Sequence, residues 1–494
     1  MWFRQKNMIK TSILISRVAS GLLALTSEKV MAEITEKEII QYEEMISAAD
    51  VEQLPGIEIK IARLMQESPH DIAASYLMSN LLLHMFISEP GNYALLRQST
   101  ELAAHAYDLN RKSDLSIAAM ASILEVTGEN DRGLALIAGS QRQGIKSGWR
   151  THLAKARLMF DGRNSEAVLK ELEQIASDRG ASREILADLI IPVVNARYDG
   201  EDLLESFQYW NSKCASLKLS LATANAMAIT GHYQEAMSLY AKIDSAHPGI
   251  AESRLSQGLI ALRKLKKIDM ALDHLAAAVR FAKRPSELAA AKTHLAIALI
   301  VKGDSHTKAN AAALDAVATA GDPESTLIAL LGAFRRHSDT PHMMAFLDGV
   351  EISRPGLHLG LAMKGEILNE KFGRHHDATR AYTDAITLEP GRSEYYNGRG
   401  LAWMGMGKLT KALNDFESAV EVNPEDASAR YNVACALARL GKTDEAILTL
   451  SKAFELDERL AINARNDSDL RALRLDPRFN DILSGKNLKT SAAH

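Results

Sequence analysis

Aromatic residues are scarce in this chain: only 5% of its 494 residues are Phe, Trp or Tyr, although 47% are hydrophobic. A core of that composition is closed mainly by alanine and aliphatic side chains, which suits close helix–helix packing and disfavours an aromatic-rich sheet core. Cysteine is scarcer still. Cys214 and Cys435 stand far apart, so neither a disulfide framework nor a cysteine-type zinc site can be built from one short motif. Both read as small apolar residues on helices. Charge of one sign is also lacking, with 58 Lys and Arg against 62 Asp and Glu, so the chain as a whole carries no basic field to recruit nucleic acid. No run of about 18 apolar residues occurs, which speaks against a transmembrane span. Nor does any stretch alternate with period two between turn dipeptides, so no sheet is expected.

Signatures of catalysis are missing in the same way. There is no Gly-x-Ser-x-Gly, no His-Glu-x-x-His and no EF-hand loop. The run from Gly398 to Lys408 holds four glycines and imitates a phosphate-binding loop. Its spacing fails, because Gly400 and Gly405 are followed by Met406 where lysine is required, and Lys408 is followed by Leu409. His375, His376 and Asp377 are expected in a turn between helices, where adjacent side chains diverge, and no third ligand is spaced nearby. His337, His342 and His358 are equally dispersed. Asp467 to Asp476 have the spacing of helix caps rather than of calcium ligands, and the basic run Arg263–Lys267 closes a helix where it complements the macrodipole. No catalytic constellation, cofactor or metal is therefore expected.

What the chain does have is a period. Residues 359–392, 393–426 and 427–460 are each 34 residues long and align without a gap. Each carries alanine on one rung (Ala378, Ala412, Ala446), a large side chain four residues later (Tyr382, Phe416, Leu450) and a second alanine three further on (Ala385, Ala419, Ala453). Pro390 and Pro424 close the first two units. This ladder resembles the tetratricopeptide repeat, a helix–turn–helix unit. The resemblance implies an all-α fold, a right-handed superhelical solenoid of stacked antiparallel helix pairs.

The punctuation continues upstream. Prolines at 248, 285, 323, 355, 390 and 424 recur at intervals of 32 to 38 residues, each expected just after a helix that it cannot continue. Residues 217–250 keep Gly231, Ala236, Tyr240 and Pro248. The next unit keeps Gly258, Ala271, Leu275 and Ala278 after one inserted residue. Further upstream the pattern loosens into helical hairpins. Residues 73–109 turn at Glu89–Gly91, 116–144 at Gly128–Asn130 and 152–177 at Asp161–Arg163. A fourth pair, 185–198 with 202–213, carries Pro192 as an expected kink. The organisation read from this is a leader over 1–32, irregular hairpins over 33–216 and degenerate repeats over 217–358. Three regular repeats follow over 359–460, then a capping helix over 461–485 and a flexible tail over 486–494. In the cap, Asp476 reads as an N-cap and Pro477 as the first helical residue, with Phe479, Ile482 and Leu483 facing the solenoid. A similar segment commonly follows the last repeat in bacterial proteins of this class.

The leader supports three readings. Arg4, Lys6, Lys10 and Arg17 precede the first acidic residue, Glu28, and a short apolar run at 18–26 leads to Val30-Met31-Ala32. That order fits a signal peptide cut near Ala32, which would make the protein exported or periplasmic. It also fits an amphipathic mitochondrial presequence in a eukaryote, or an extension ahead of a true start at Met8 or Met31. A cytoplasmic location is the preferred reading.

In the repeat family the first helix of each pair lines a concave groove that holds a segment of a partner. Carried onto this chain, that face comprises Met363, Ile367 and Glu370, then Glu394, Asn397, Leu401 and Met404, then Tyr431, Asn432, Cys435 and Arg439. It mixes adaptable apolar side chains with amides that can bond a peptide backbone. The lysine, arginine and asparagine clamp by which some co-chaperones of the family grip an acidic C-terminus is matched only at Asn432. Met363, Ile367, Gly398 and Ser428 stand where its other groups would be. The resemblance thus implies a non-enzymatic scaffold or adaptor whose partner is a protein or peptide segment, with self-association through end units as a further partnership. An accessory subunit of an envelope or polysaccharide-export machine is the alternative if the leader is a signal. An enzyme site within 33–216 is the third.

Overall fold

The computed structural model describes residues 34–49, 51–160, 165–338 and 340–485. The leader over 1–32, the tail over 486–494 and the turn at Asp161–Arg163 lie outside the described residues. Among the described residues there is no strand. The chain divides into two compact units, Met1–Gly249 and Ile250–His494.

The first unit opens with α1 (Glu36–Ala48) and α2 (Leu54–Glu67). Five hairpins follow: α3 (Ile72–Ser88) with α4 (Tyr93–Leu109), α5 (Asp114–Val126) with α6 (Asn130–Arg142), α7 (Trp149–Met159) with α8 (Ser165–Ala176), α9 (Arg183–Arg197) with α10 (Gly200–Lys213), and α11 (Leu217–Ile229) with α12 (Tyr233–Ala246). Several starts are written in the sequence as caps. Asp71 accepts from the Ala73 amide, Ser182 from Ile185 and Ser216 from Leu219, each satisfying a donor that the helix itself leaves open. Where α3 and α4 approach, Ser79 and Ser99 are both buried, and each hydroxyl donates to the other residue's carbonyl, at 3.0 and 2.8 Å. Helix α9 runs through Pro192, and Ile190, Val193 and Val194 around it are fully buried among Val168, Leu172 and Leu219.

The second unit stacks six hairpins: α13 (Ala251–Arg263) with α14 (Ile268–Phe281), α15 (Pro285–Lys302) with α16 (His306–Thr319), α17 (Pro323–His337) with α18 (Thr340–Ser353), α19 (His358–Glu370) with α20 (His375–Leu388), α21 (Ser393–Gly405) with α22 (Leu409–Val422), and α23 (Ala427–Arg439) with α24 (Thr443–Leu456). The end is formed by α25 (Leu460–Ala464), a 3-10 helix over Ser468–Leu475 and α26 (Pro477–Leu483). Within the regular repeats each first helix packs on its own second helix and on the first helix of the next pair. Contact distance explains the ladder. Ala378, Ala412, Ala446, Ala385, Ala419 and Ala453 are all fully buried, with Phe416 and Leu450 filling the space between units. Gly398 and Gly400 belong to the same packing. A Cβ on Gly398 would stand 2.3 Å from the Tyr382 ring, and one on Gly400 2.5 Å from the Phe416 ring. The glycines that imitate a phosphate loop are the floor on which two aromatic rings lie.

Two details differ from the sequence reading. Pro248, Pro355, Pro390 and Pro424 lie in turns after a helix, but Pro285 and Pro323 are the first residues of α15 and α17. A missing N–H costs nothing at that position, and the fixed φ suits a helix start. The inserted residue between α13 and α14 shows its effect at Lys266, the one non-glycine with positive φ among the described residues, at 56°. The corresponding turns of the regular repeats use Gly407 and Gly441 for left-handed backbone, where a side chain is strained.

Candidate functional site

Helices α19, α21 and α23 present the face that the repeat pattern nominates, and the structure sorts its residues into three groups. The first is core. Ile367 is only 3% exposed and Met404 is also buried, while Met363 is half-buried against the apolar cluster that includes Phe334 and Phe346. Ile367 and Met404 offer no open side chain to a partner, and Met363 offers only part of one.

The second group is covered by the C-terminal segment. Leu470 and Leu473 of the 3-10 helix are fully buried, and that helix packs on α23. The Tyr431 hydroxyl donates to Asp467 Oδ2 at 2.7 Å, and Cys435 Sγ lies 3.8 Å from the same oxygen. Arg439 Nη1 pairs with Asp469 at 3.4 Å. Burial, with the Asp467 carboxylate beside it, pushes the Tyr431 phenol well above its usual range. Burial and the Asp467 and Asp469 carboxylates do the same to the Cys435 thiol. Asp467 accepts from the Asp469 amide and Asp476 from the Arg478 amide, so both act as caps as well. Tyr431, Cys435 and Arg439 therefore serve the end of the solenoid.

The third group is half-buried at its amides and open at Leu401. Asn432 Nδ2 donates to Asn397 Oδ1 at 2.8 Å, joining α23 to α21. Leu401 is 38% exposed one turn after Asn397, on the same side of α21. Glu394 and Glu370 are exposed near the starts and ends of their helices. The open face is thus an amide pair beside an aliphatic side chain, narrower than the sequence pattern implies.

Two features were missed by sequence reasoning. Arg399 grips Asp415 through Nε and Nη2, both at 2.8 Å, and reaches Thr383 Oγ1 at 3.1 Å, tying α21 to α22 and α20. The sixteen residues separating Arg399 from Asp415 have no standard spacing that would announce the pair. His375, His376 and Asp377 do not occupy a turn: they are the first residues of α20. His375 Nδ1 lies 2.7 Å from Asn369 Oδ1, its ring rests against Gly405, and Asp377 is held by Arg374. Among the described residues no group of three or more His, Cys, Asp or Glu is placed to hold a metal ion. No helix there is long and apolar enough to cross a membrane. A charged hollow of about 260 Å³ lies between α18, α19 and α20, but its lysine, Lys364, is already paired with Asp348 and Glu351.

The sequence model of the family described as Tetratricopeptide repeat matches residues 404–458. The chain is a tetratricopeptide-repeat protein. A TPR repeat-containing protein of Methanocaldococcus jannaschii is 31% identical over 100 residues, which is 20% of this chain and 18% of that protein. An uncharacterized protein of the same organism is 32% identical over 78 residues, 16% of this chain and 91% of that protein. The chain thus spans about a fifth of the length of the larger relative. Among solved structures, yeast Tom70 is 14% identical with a TM-score of 0.33, over 91% of this chain and 98% of that one. The family match and the stacked hairpins together show the repeat architecture of this TPR chain.

Proposed function

We propose that this TPR protein is a non-enzymatic scaffold that docks a segment of a partner protein on the face formed by α21 and α23. The observation that carries this reading is the Asn397–Asn432 pair. With one hydrogen bond between them, the two amides still offer Asn397 Nδ2 as donor and Asn432 Oδ1 as acceptor, the complement of a peptide unit. Leu401 beside them supplies an apolar contact, and Asn397 and Leu401 lie on a helix held rigidly by the Arg399–Asp415 fork. The exposed charges named on this face are the carboxylates of Glu370 and Glu394, which would repel an acidic terminus, so the partner segment is read by backbone and aliphatic groups.

The test is a comparison of proteins recovered with the wild-type chain and with a Leu401→Glu/Asn432→Ala double variant. Neither substitution touches Tyr431, Cys435 or Arg439, so the end of the solenoid stays intact. Loss of a specific partner from the variant supports the reading, while equal recovery by both chains places the docking face elsewhere.

A further inference from the structure

We propose that the first-helix face of the N-terminal unit is a receptor for an acidic amphipathic helix, and that α1 is its resident intramolecular occupant. This site lies in a different unit from the amide pair of α21 and α23, and the two readings fail independently.

Helix α1 does not join the ladder. It contacts α3 more extensively than its sequence neighbour α2. Among the described residues its hydrogen bonds to the rest of the unit go to first helices or to the cap of one. The Tyr76 hydroxyl of α3 donates to Glu43 Oε1 at 2.6 Å. Arg150 of α7 takes both Glu43 oxygens, at 2.6 and 2.8 Å, and turns its remaining nitrogen to Glu36 at 2.7 Å. Ser182, the cap of α9, donates to Glu44 at 2.6 Å, and Ser47 bonds Asp188 on α9 and Lys218 on α11. The helix therefore crosses the hairpins in the manner of a bound ligand.

Its buried stripe has a ligand's chemistry too. Ile39, Glu43 and Ile46 are the residues of α1 that are buried, so the centre of an otherwise apolar stripe is a carboxylate. The guanidinium that reads it is itself 5% exposed and stacks on the Trp149 ring at 4.3 Å. An enclosed ion pair is a poor means of stabilising a layer, since two charges lose their water for it. A fork that holds both oxygens does discriminate a carboxylate from every neutral side chain. Nor does α1 fill the face. A cavity of about 270 Å³ remains beside it, lined by Asn80, Ser122, Glu125, Arg157 and Trp149. Among the described residues the buried Trp149 indole N–H has no hydrogen-bond acceptor. A partner helix that repeats the α1 pattern, and adds an acceptor for that indole, would match the face better than α1 does. The occupant is thus a helix of another protein with a carboxylate flanked by branched aliphatic residues four before and three after it. A second carboxylate lies seven residues upstream, as Glu36 does from Glu43.

The probe is a labelled peptide of residues 34–49, added to the full chain and to its Ile39→Asp/Ile46→Asp variant, in which the resident helix is weakened and the receptor face is untouched. Fluorescence anisotropy is expected to show at least tenfold tighter binding to the variant, and a Glu43→Lys peptide is expected to bind neither. On the unaltered chain, excess unlabelled peptide should speed amide hydrogen exchange in α1 and leave α3 to α12 unchanged. Should the variant lose its helical circular dichroism, the exchange experiment decides alone. Exchange in α1 that ignores the peptide overturns the proposal, as does a folded variant that fails to bind it. A doubled mass of the variant in light scattering overturns it in favour of helix exchange between two copies of this chain.

Discussion

His294 on α15 is a half-buried imidazole whose enclosed Nδ1 has no hydrogen-bond partner among the described residues. Burial, with the Arg263 charge nearby, lowers its pKa from 6.5 to about 4. The unfolded chain therefore binds a proton there before the folded chain does. The stability this group contributes is complete above pH 6.5 and is lost as pH falls from 6.5 towards 4. His294→Gln should melt with a smaller drop between pH 7 and pH 5 than the wild type, followed by circular dichroism. Parallel drops in the two proteins would assign the acid sensitivity to another group. Single residues also show the limit of pattern reading. Gly398 and Gly400 are legible as small positions of a repeat, yet the rings above them are identified only by the close approach of Tyr382 and Phe416. Ile367 and Leu401 look alike in the alignment, and burial alone separates a core residue from an open one.

At the scale of elements, the last repeat and its end are one piece. The 3-10 helix stands where a further first helix would, and Ala464, Leu470, Leu473, Phe479 and Ile482 are buried with Ala446 and Leu450 in a common cluster. Each large side chain among these is worth about 1.5–3 kcal/mol when removed from water. Ending the chain after Ala464 is therefore expected to lower the melting temperature and to promote association on light scattering. The same truncation should convert Cys435 from a thiol inert to an aromatic disulfide reagent into a reactive one, since it removes both Asp467 and the cover over Sγ. An unreactive Cys435 in the truncated protein would show that α23 is enclosed by something else. The caps at Asp476 and Pro477 are visible in the sequence, because capping is local chemistry. The 3-10 turn before them is not, because its apolar residues acquire their role only against α23.

At the scale of the molecule, each repeat touches its neighbours and little beyond them, so damage should stay local. Ala412→Leu would force extra methyl groups into a fully enclosed rung and cost about 1–3 kcal/mol. Amide exchange should quicken in α21 to α24 and remain unchanged in α13 to α16. Acceleration spread evenly through the second unit would mean that its hairpins open together rather than one by one. The period of the chain, its small rungs and its turn residues were enough to determine an all-helical stack of hairpins, because those features depend on contacts that recur at fixed spacing along the sequence. What lies on the stack's faces was decided by the tertiary structure. The pairing of Asn397 with Asn432, the cover over Tyr431 and Cys435, and the seating of α1 across four other hairpins all join residues that do not hold equivalent positions in the repeat. Arg150 and Glu43 are 107 positions apart, and nothing in either neighbourhood names the other.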